Sequence, residues 1–139
     1  MAVRIRIELL GPDGRCLRTA AILNGGFEVP GPHLLLPRSC AERLLGAYRT
    51  HAVRQVLDAA GGSAEFWAVD LPVGGCVTTD DRKGPLVEFR VLVSEGDSEL
   101  LVSDSGIDAL GVRIESFEPG RWRFDGETRV RPTEAAEYW

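Results

Sequence analysis

Ala21-Ile22-Leu23-Asn24-Gly25-Gly26-Phe27 is the stretch on which the fold turns. An apolar run ends in a polar residue and two glycines. Ala20 to Leu23 is apolar at successive positions, so both faces of that strand need cover and it enters the core. Two readings of the next residues are open. Asn-Gly between apolar runs is the strongest short hairpin signal, as a type I′ turn. Against it, Phe27-Glu28-Val29-Pro30-Gly31-Pro32 is a poor returning strand, because each proline lacks a ladder donor. On the other reading the chain leaves the strand end as an irregular loop. It becomes regular again only at Leu34-Leu35-Leu36, a short buried strand.

Working outward, Val3, Ile5 and Ile7 alternate with Arg4, Arg6 and Glu8, which predicts a half-buried strand. Gly11-Pro12-Asp13-Gly14 is turn chemistry, so a second strand over about 15–23 pairs back as a hairpin. Downstream, Pro37 suits a first helical turn, where its missing N–H costs nothing. Cys40, Ala41, Leu44 and Leu45 share one face of a helix that Gly46 ends. Ala52 to Leu57 and Ala64 to Val73 read as a long hairpin with Ala60, Gly61 and Gly62 at its tip. Gly74-Gly75 predicts a bend or bulge before Cys76 to Thr79 continue the strand. Strands follow at 86–93 and 100–102, then a short helix around Ile107 and Leu110, then strands at Val112, Ile114 and 121–124. The tail from Arg131 to Trp139 has no clear pattern. Many short strands and two short helices predict a mostly-β domain, a closed or highly curved sheet built from hairpins. Each half offers an approximate echo of the other: hairpin, buried apolar strand, short helix.

The 139 residues suit one domain with a modest core, and no linker divides residues 1–139. An apolar fraction of 44% with 16 glycines and 8 prolines is globular and turn-rich rather than disordered. Apolar runs are far too short for a membrane span. The N-terminal alternation lacks the apolar segment of a signal peptide, so a cytoplasmic protein is expected. The net charge of −5 is uneven: residues 1–70 hold 8 basic and 7 acidic side chains, residues 71–139 hold 8 and 14. That balance argues against nucleic acid as the main partner, and Arg121 and Arg123 beside Trp122 and Phe124 read as a half-exposed strand. Cys16, Cys40 and Cys76 are odd in number and widely spaced, which fits free thiols, and His33 and His51 are isolated, so no metal site and no cofactor are expected. The tandem Asp80-Asp81 reads as a solvated acidic loop.

Laid end to end, these parts resemble the retropepsin-like, retroviral-type aspartic proteases and their small prokaryotic members. The resemblance rests on Ala21-Ile22-Leu23 before Asn24-Gly25-Gly26, on Leu34-Leu35-Leu36-Pro37, on Ala41-Glu42-Arg43-Leu44-Leu45-Gly46, on the hairpin from Gln55 to Trp67, and on the run from Glu99 to Val112. It implies a retropepsin-like closed β-barrel with one or two short helices and a flap hairpin. It also implies a homodimer in which each chain gives one acid, with an extended peptide bound under two flaps. On that alignment Asn24, Gly25 and Gly26 stand at the catalytic triplet, and Phe27, Ala60, Gly61, Gly62 and Trp67 stand where a peptide is bound. Trp67 is equally readable as a core or dimer contact.

The departure from the family lies at the triplet. Its mechanism needs two carboxylates sharing one proton. Asn24 carries an amide, which has no titratable proton in that range. Gly25 lacks the hydroxyl that in the family ties the two active loops together. The expectation is a degenerate aspartic-protease-like domain that binds extended peptide without cutting it. Two alternatives stay open. One is an active endopeptidase, through deamidation of Asn24 to aspartate or through another acid such as Asp104. The other is a structural or assembly domain. Asp104-Ser105-Gly106 is literally an Asp-Ser-Gly triplet, but a helix pattern follows at once. Asp104, Ser103 or Ser105 therefore reads as an N-cap, and Ser105 with Asp108 fits a weak capping box.

Overall fold

The alternation at the start of the chain becomes strand β1 (Arg4–Leu10), with Ile5, Ile7 and Leu9 fully buried and Arg4, Arg6 and Glu8 half-buried on the other face. The computed structural model describes residues 2–59 and 62–139. Gly14, at φ 87°, closes the turn by donating to the Gly11 carbonyl (3.2 Å). Strand β2 (Cys16–Leu23) then pairs antiparallel with β1, Arg4 opposite Ile22 and Leu10 opposite Cys16.

The further strands are β3 (His33–Pro37), β4 (Ala52–Ala59), β5 (Gly62–Val77), β6 (Val87–Ser94) and β7 (Leu100–Val102). They pair in the order β1-β2-β7-β3-β6-β5-β4, and β5 also returns to β1, Ile7 facing Val77 and Leu10 facing Gly74. That second pairing closes six strands into a barrel and leaves β4 outside it, paired with β5 as a hairpin arm. The domain is thus mostly β, as the run of short strands predicts. Helix α1 (Arg38–Leu45) buries Cys40, Ala41, Leu44 and Leu45 and stops at Gly46, whose φ is 66°. Pro37 is the last residue of β3 and the N-cap of α1, one position earlier than the first turn. Helix α2 (Asp104–Ala109) leads to β8 (Val112–Phe117), β9 (Gly120–Phe124) and the two-residue β10 (Arg131–Pro132), a second sheet. One hydrophobic cluster runs from Ile5 and Leu34 through Phe89 to Trp122 and Phe124, joining the two sheets.

The strand pairing decides two local readings. The chain after β2 does not return as a hairpin: β2 pairs with β7 in parallel, and neither Asn24 nor Gly25 has the positive φ that a type I′ turn requires. The irregularity in β5 falls between Val69 and Val73, around Pro72, rather than at Gly74-Gly75. Proline has no N–H for the ladder, so the pairing with β6 breaks there. Gly75 is instead paired on both sides at the barrel seam. A Cβ there would lie 2.9 Å from Phe89 Cε2 and 3.1 Å from Leu9 Cδ2, so close packing, not a bend, requires glycine.

The patternless tail is docked on its own chain. Trp139 donates from Nε1 to Thr19 Oγ1 (3.0 Å) and from its backbone to Ser98 (2.8 Å), while Glu137 accepts from Arg6 and from the Ala20 N–H. Asp81 is no free solvated acid. It accepts from Arg131, Arg129 and Thr79, which ties the loop after β5 to β10.

Candidate functional site

The last residues of β2 lie beside β7, Leu23 opposite Val102, and Asn24 extends that ladder by donating to the Val102 carbonyl (3.0 Å). The chain then turns: Phe27 N–H donates to the Asn24 carbonyl (3.0 Å), and the Asn24 side-chain oxygen accepts from Gly26 N–H (3.1 Å). Asp104 N–H donates back to Phe27 (3.2 Å). The turn is therefore stitched to the junction of β7 and α2. That junction is organised by Ser103, whose hydroxyl accepts from Gly106 N–H (3.1 Å) as the N-cap of α2 and from His33 N–H (2.9 Å) at the start of β3. Ser103 is the cap; the Ser105–Asp108 capping box does not form.

The turn opens onto a hollow of about 490 Å³ lined by Asn24, Gly26, Phe27, Glu28 and Val29, by Leu35, Leu92 and Leu101 on the sheet, by Asp58 and Phe66 from the β4–β5 arm, and by Asp97. The floor has a simple origin. Within β3 and β6 the core takes Leu34, Leu36, Val91 and Val93, while period two turns Leu35 and Leu92 to the opposite face. Both are nonetheless buried, at 6% and 3% exposure. The registers line up Ile22, Leu101, Leu35, Leu92, Ala68 and Val53 as one apolar row across six strands. A second hollow, about 520 Å³, meets the first at Leu92 and runs past His33, Ala68 and Arg90 to the break in β5 at Asp70-Leu71-Pro72.

No protein-family model matches the chain, and no curated protein matches it.

Of the residues singled out in the sequence, Asn24, Gly26 and Phe27 line the first hollow. Gly25 is exposed in the same turn, with nothing within 4 Å of where a Cβ would be. Gly62, at φ 130°, starts β5 opposite Ala59 at the far end of the arm and lines neither hollow. Ala60 and Gly61 lie outside the described residues. Trp67 is not in the groove. Strand alternation turns it to the other face of the arm, with Arg49 (5.1 Å) and Arg54 (5.4 Å) over its ring, and gives the groove Phe66 instead. Asp104 stands behind the Asn24 turn, its carboxylate accepting from Ser105 N–H (2.7 Å), and does not line the hollow.

Leu35, Leu92 and Leu101 were legible as apolar but not as floor. Phe66 was legible as bulk of a strand but not as a groove residue, and Asp58 and Asp97 carry no local signal. Among the described residues no group of three or more His, Cys, Asp or Glu is arranged to hold a metal, and no helix is long and apolar enough to cross a membrane.

Proposed function

We propose that this chain is a degenerate aspartic-protease-like domain that works as a homodimer and binds an extended peptide without cleaving it. One observation carries the reading: the Asn24-Gly25-Gly26 turn and Phe66 of the β4–β5 arm face one groove whose floor is a row of apolar side chains. Such a trough suits an extended chain, with backbone pairing for affinity and alternate side chains on the apolar row for selection. The residue at the turn is an amide whose oxygen is already engaged by Gly26 N–H. It offers no proton to a leaving group and takes none from water, and loss of general acid–base catalysis alone costs about 10²–10⁴-fold.

The test is incubation with a mixed peptide library between about pH 3 and 7, the span over which carboxylates titrate, alongside Asn24→Ala. No cleavage is expected from either protein. Asn24→Asp, alone and with Gly25→Thr, asks whether the remainder of the site is intact; the open space at Gly25 admits the added side chain. Cleavage by the unmodified chain that disappears in Asn24→Ala overturns the inactive reading in favour of the deamidated enzyme. Calorimetry that finds no extended peptide bound leaves an assembly role. Sedimentation that finds only monomer removes the dimer from the proposal.

A further inference from the structure

The trough is apolar along its floor and acidic along its walls. Glu28, Asp58 and Asp97 line the first hollow, Asp70 and Glu88 the second, and all are exposed at the surface. Among the described residues none of these carboxylates has an ion-pair partner, whereas acids elsewhere are commonly paired, as Glu99 is with Arg4, Glu65 with Arg54 and Asp81 with Arg131. Asp97 accepts one hydrogen bond, from Ser94 Oγ (2.6 Å), which leaves its charge uncompensated. Against them, among the described residues, the trough holds a single guanidinium, Arg90, and the imidazole of His33. Unpaired like charges along a low-dielectric groove focus a negative potential into it.

We propose that the occupant of this trough is a basic extended peptide, one with an apolar residue for the Leu35–Leu92–Leu101 floor and Lys or Arg on either side of it. The inference rests on the peptide-binding reading above and adds the charge class of the ligand. The lone Arg90 end sets polarity, because a basic side chain is favoured near Asp58 and Asp97 more than beside Arg90. Charges of this kind act mainly on encounter rate and selectivity, and are weakened by salt.

The experiment titrates the full chain, by calorimetry, with three peptides sharing an apolar centre and flanked by Lys, by Gln or by Glu. Binding is measured at low and at physiological salt. The Lys-flanked peptide should bind at least about tenfold tighter than the Glu-flanked one, as several exposed charge pairs together supply, and salt should narrow the gap. Neutralising the walls, with Asp58→Asn/Asp97→Asn and Asp70→Asn/Glu88→Gln, should remove most of the preference. The pair Asp80→Asn/Glu118→Gln, which neutralises acids that line neither hollow, should retain it. Equal affinities for the three peptides, or a preference for Glu, overturn the charge inference and leave peptide binding standing. A loss of preference in the Asp80/Glu118 pair equal to that in the wall variants also overturns it, since net charge alone would then be acting. Absence of binding by all three peptides overturns both readings.

Discussion

Replacing Ser103 by Ala removes one oxygen that two backbone N–H groups share. Ser103 is fully buried, and its hydroxyl accepts from Gly106 at the N-terminus of α2 and from His33 at the start of β3. Loss of an N-cap costs about 1 kcal/mol. A second N–H, part-buried at His33 and left without a partner, adds about 1–3 kcal/mol, so the substitution should cost about 2–4 kcal/mol. With a urea dependence of about 2 kcal/mol per molar, the unfolding midpoint should fall by about 1–2 M. Because the same junction ties down Asn24 and Phe27 through Val102 and Asp104, the proposed peptide binding should weaken with it. Ser105→Ala is the control: its backbone N–H still donates to the Asp104 carboxylate, and no side-chain bond of its own is lost. That variant should stay within about 0.5 kcal/mol of the parent, as ordinary substitutions do. A loss below about 0.5 kcal/mol for Ser103→Ala, or an equal loss for Ser105→Ala, would refute the reasoning.

The hydrogen bonds from Arg131 and Thr79 hold the Asp81 carboxyl well below the usual carboxylate range. Its contribution to stability is therefore complete above the unfolded value of about 3.9 and is lost as pH falls below it; Asp81→Asn should flatten that acidic part of the stability profile, followed by thermal unfolding against pH. Burial pushes the Cys40 thiol up to about 12 and raises Cys76 as well, while Cys16 is exposed. A thiol reagent at neutral pH should therefore label Cys16 first in the folded protein, with Cys40 and Cys76 modified only on unfolding, as peptide mapping by mass will show.

Much of the fold was legible because it depends on local periodicity. The alternation of Val3, Ile5 and Ile7 fixes a half-buried strand wherever the chain goes, and Cys40, Ala41, Leu44 and Leu45 fix the buried face of α1. The fate of Asn24-Gly25 was not local. A type I′ hairpin and a loop leading to another strand are both open to those residues, and the choice falls to β7, some eighty residues on, which takes the edge of β2 that a returning hairpin strand would need. Trp67 and Phe66 show the same limit at the site. Adjacent aromatics on a strand must point to opposite faces, but which one meets the groove depends on which face of the arm is turned to the sheet. The tail carried no periodic pattern because its order comes from single long-range bonds, Trp139 to Thr19 and Glu137 to Ala20.

By itself the sequence determined the strands and helices, the barrel class and the amide at position 24, since each follows from residue identity and spacing along a few neighbouring positions. Only the tertiary structure decided that Leu35 and Leu92 turn away from the core to floor a groove, that Phe66 rather than Trp67 faces it, and that Glu28, Asp58, Asp70, Glu88 and Asp97 gather on its walls. Those are facts of register and closure. They are set when distant strands pair, and a one-residue slip in any of them would reverse which face each side chain meets.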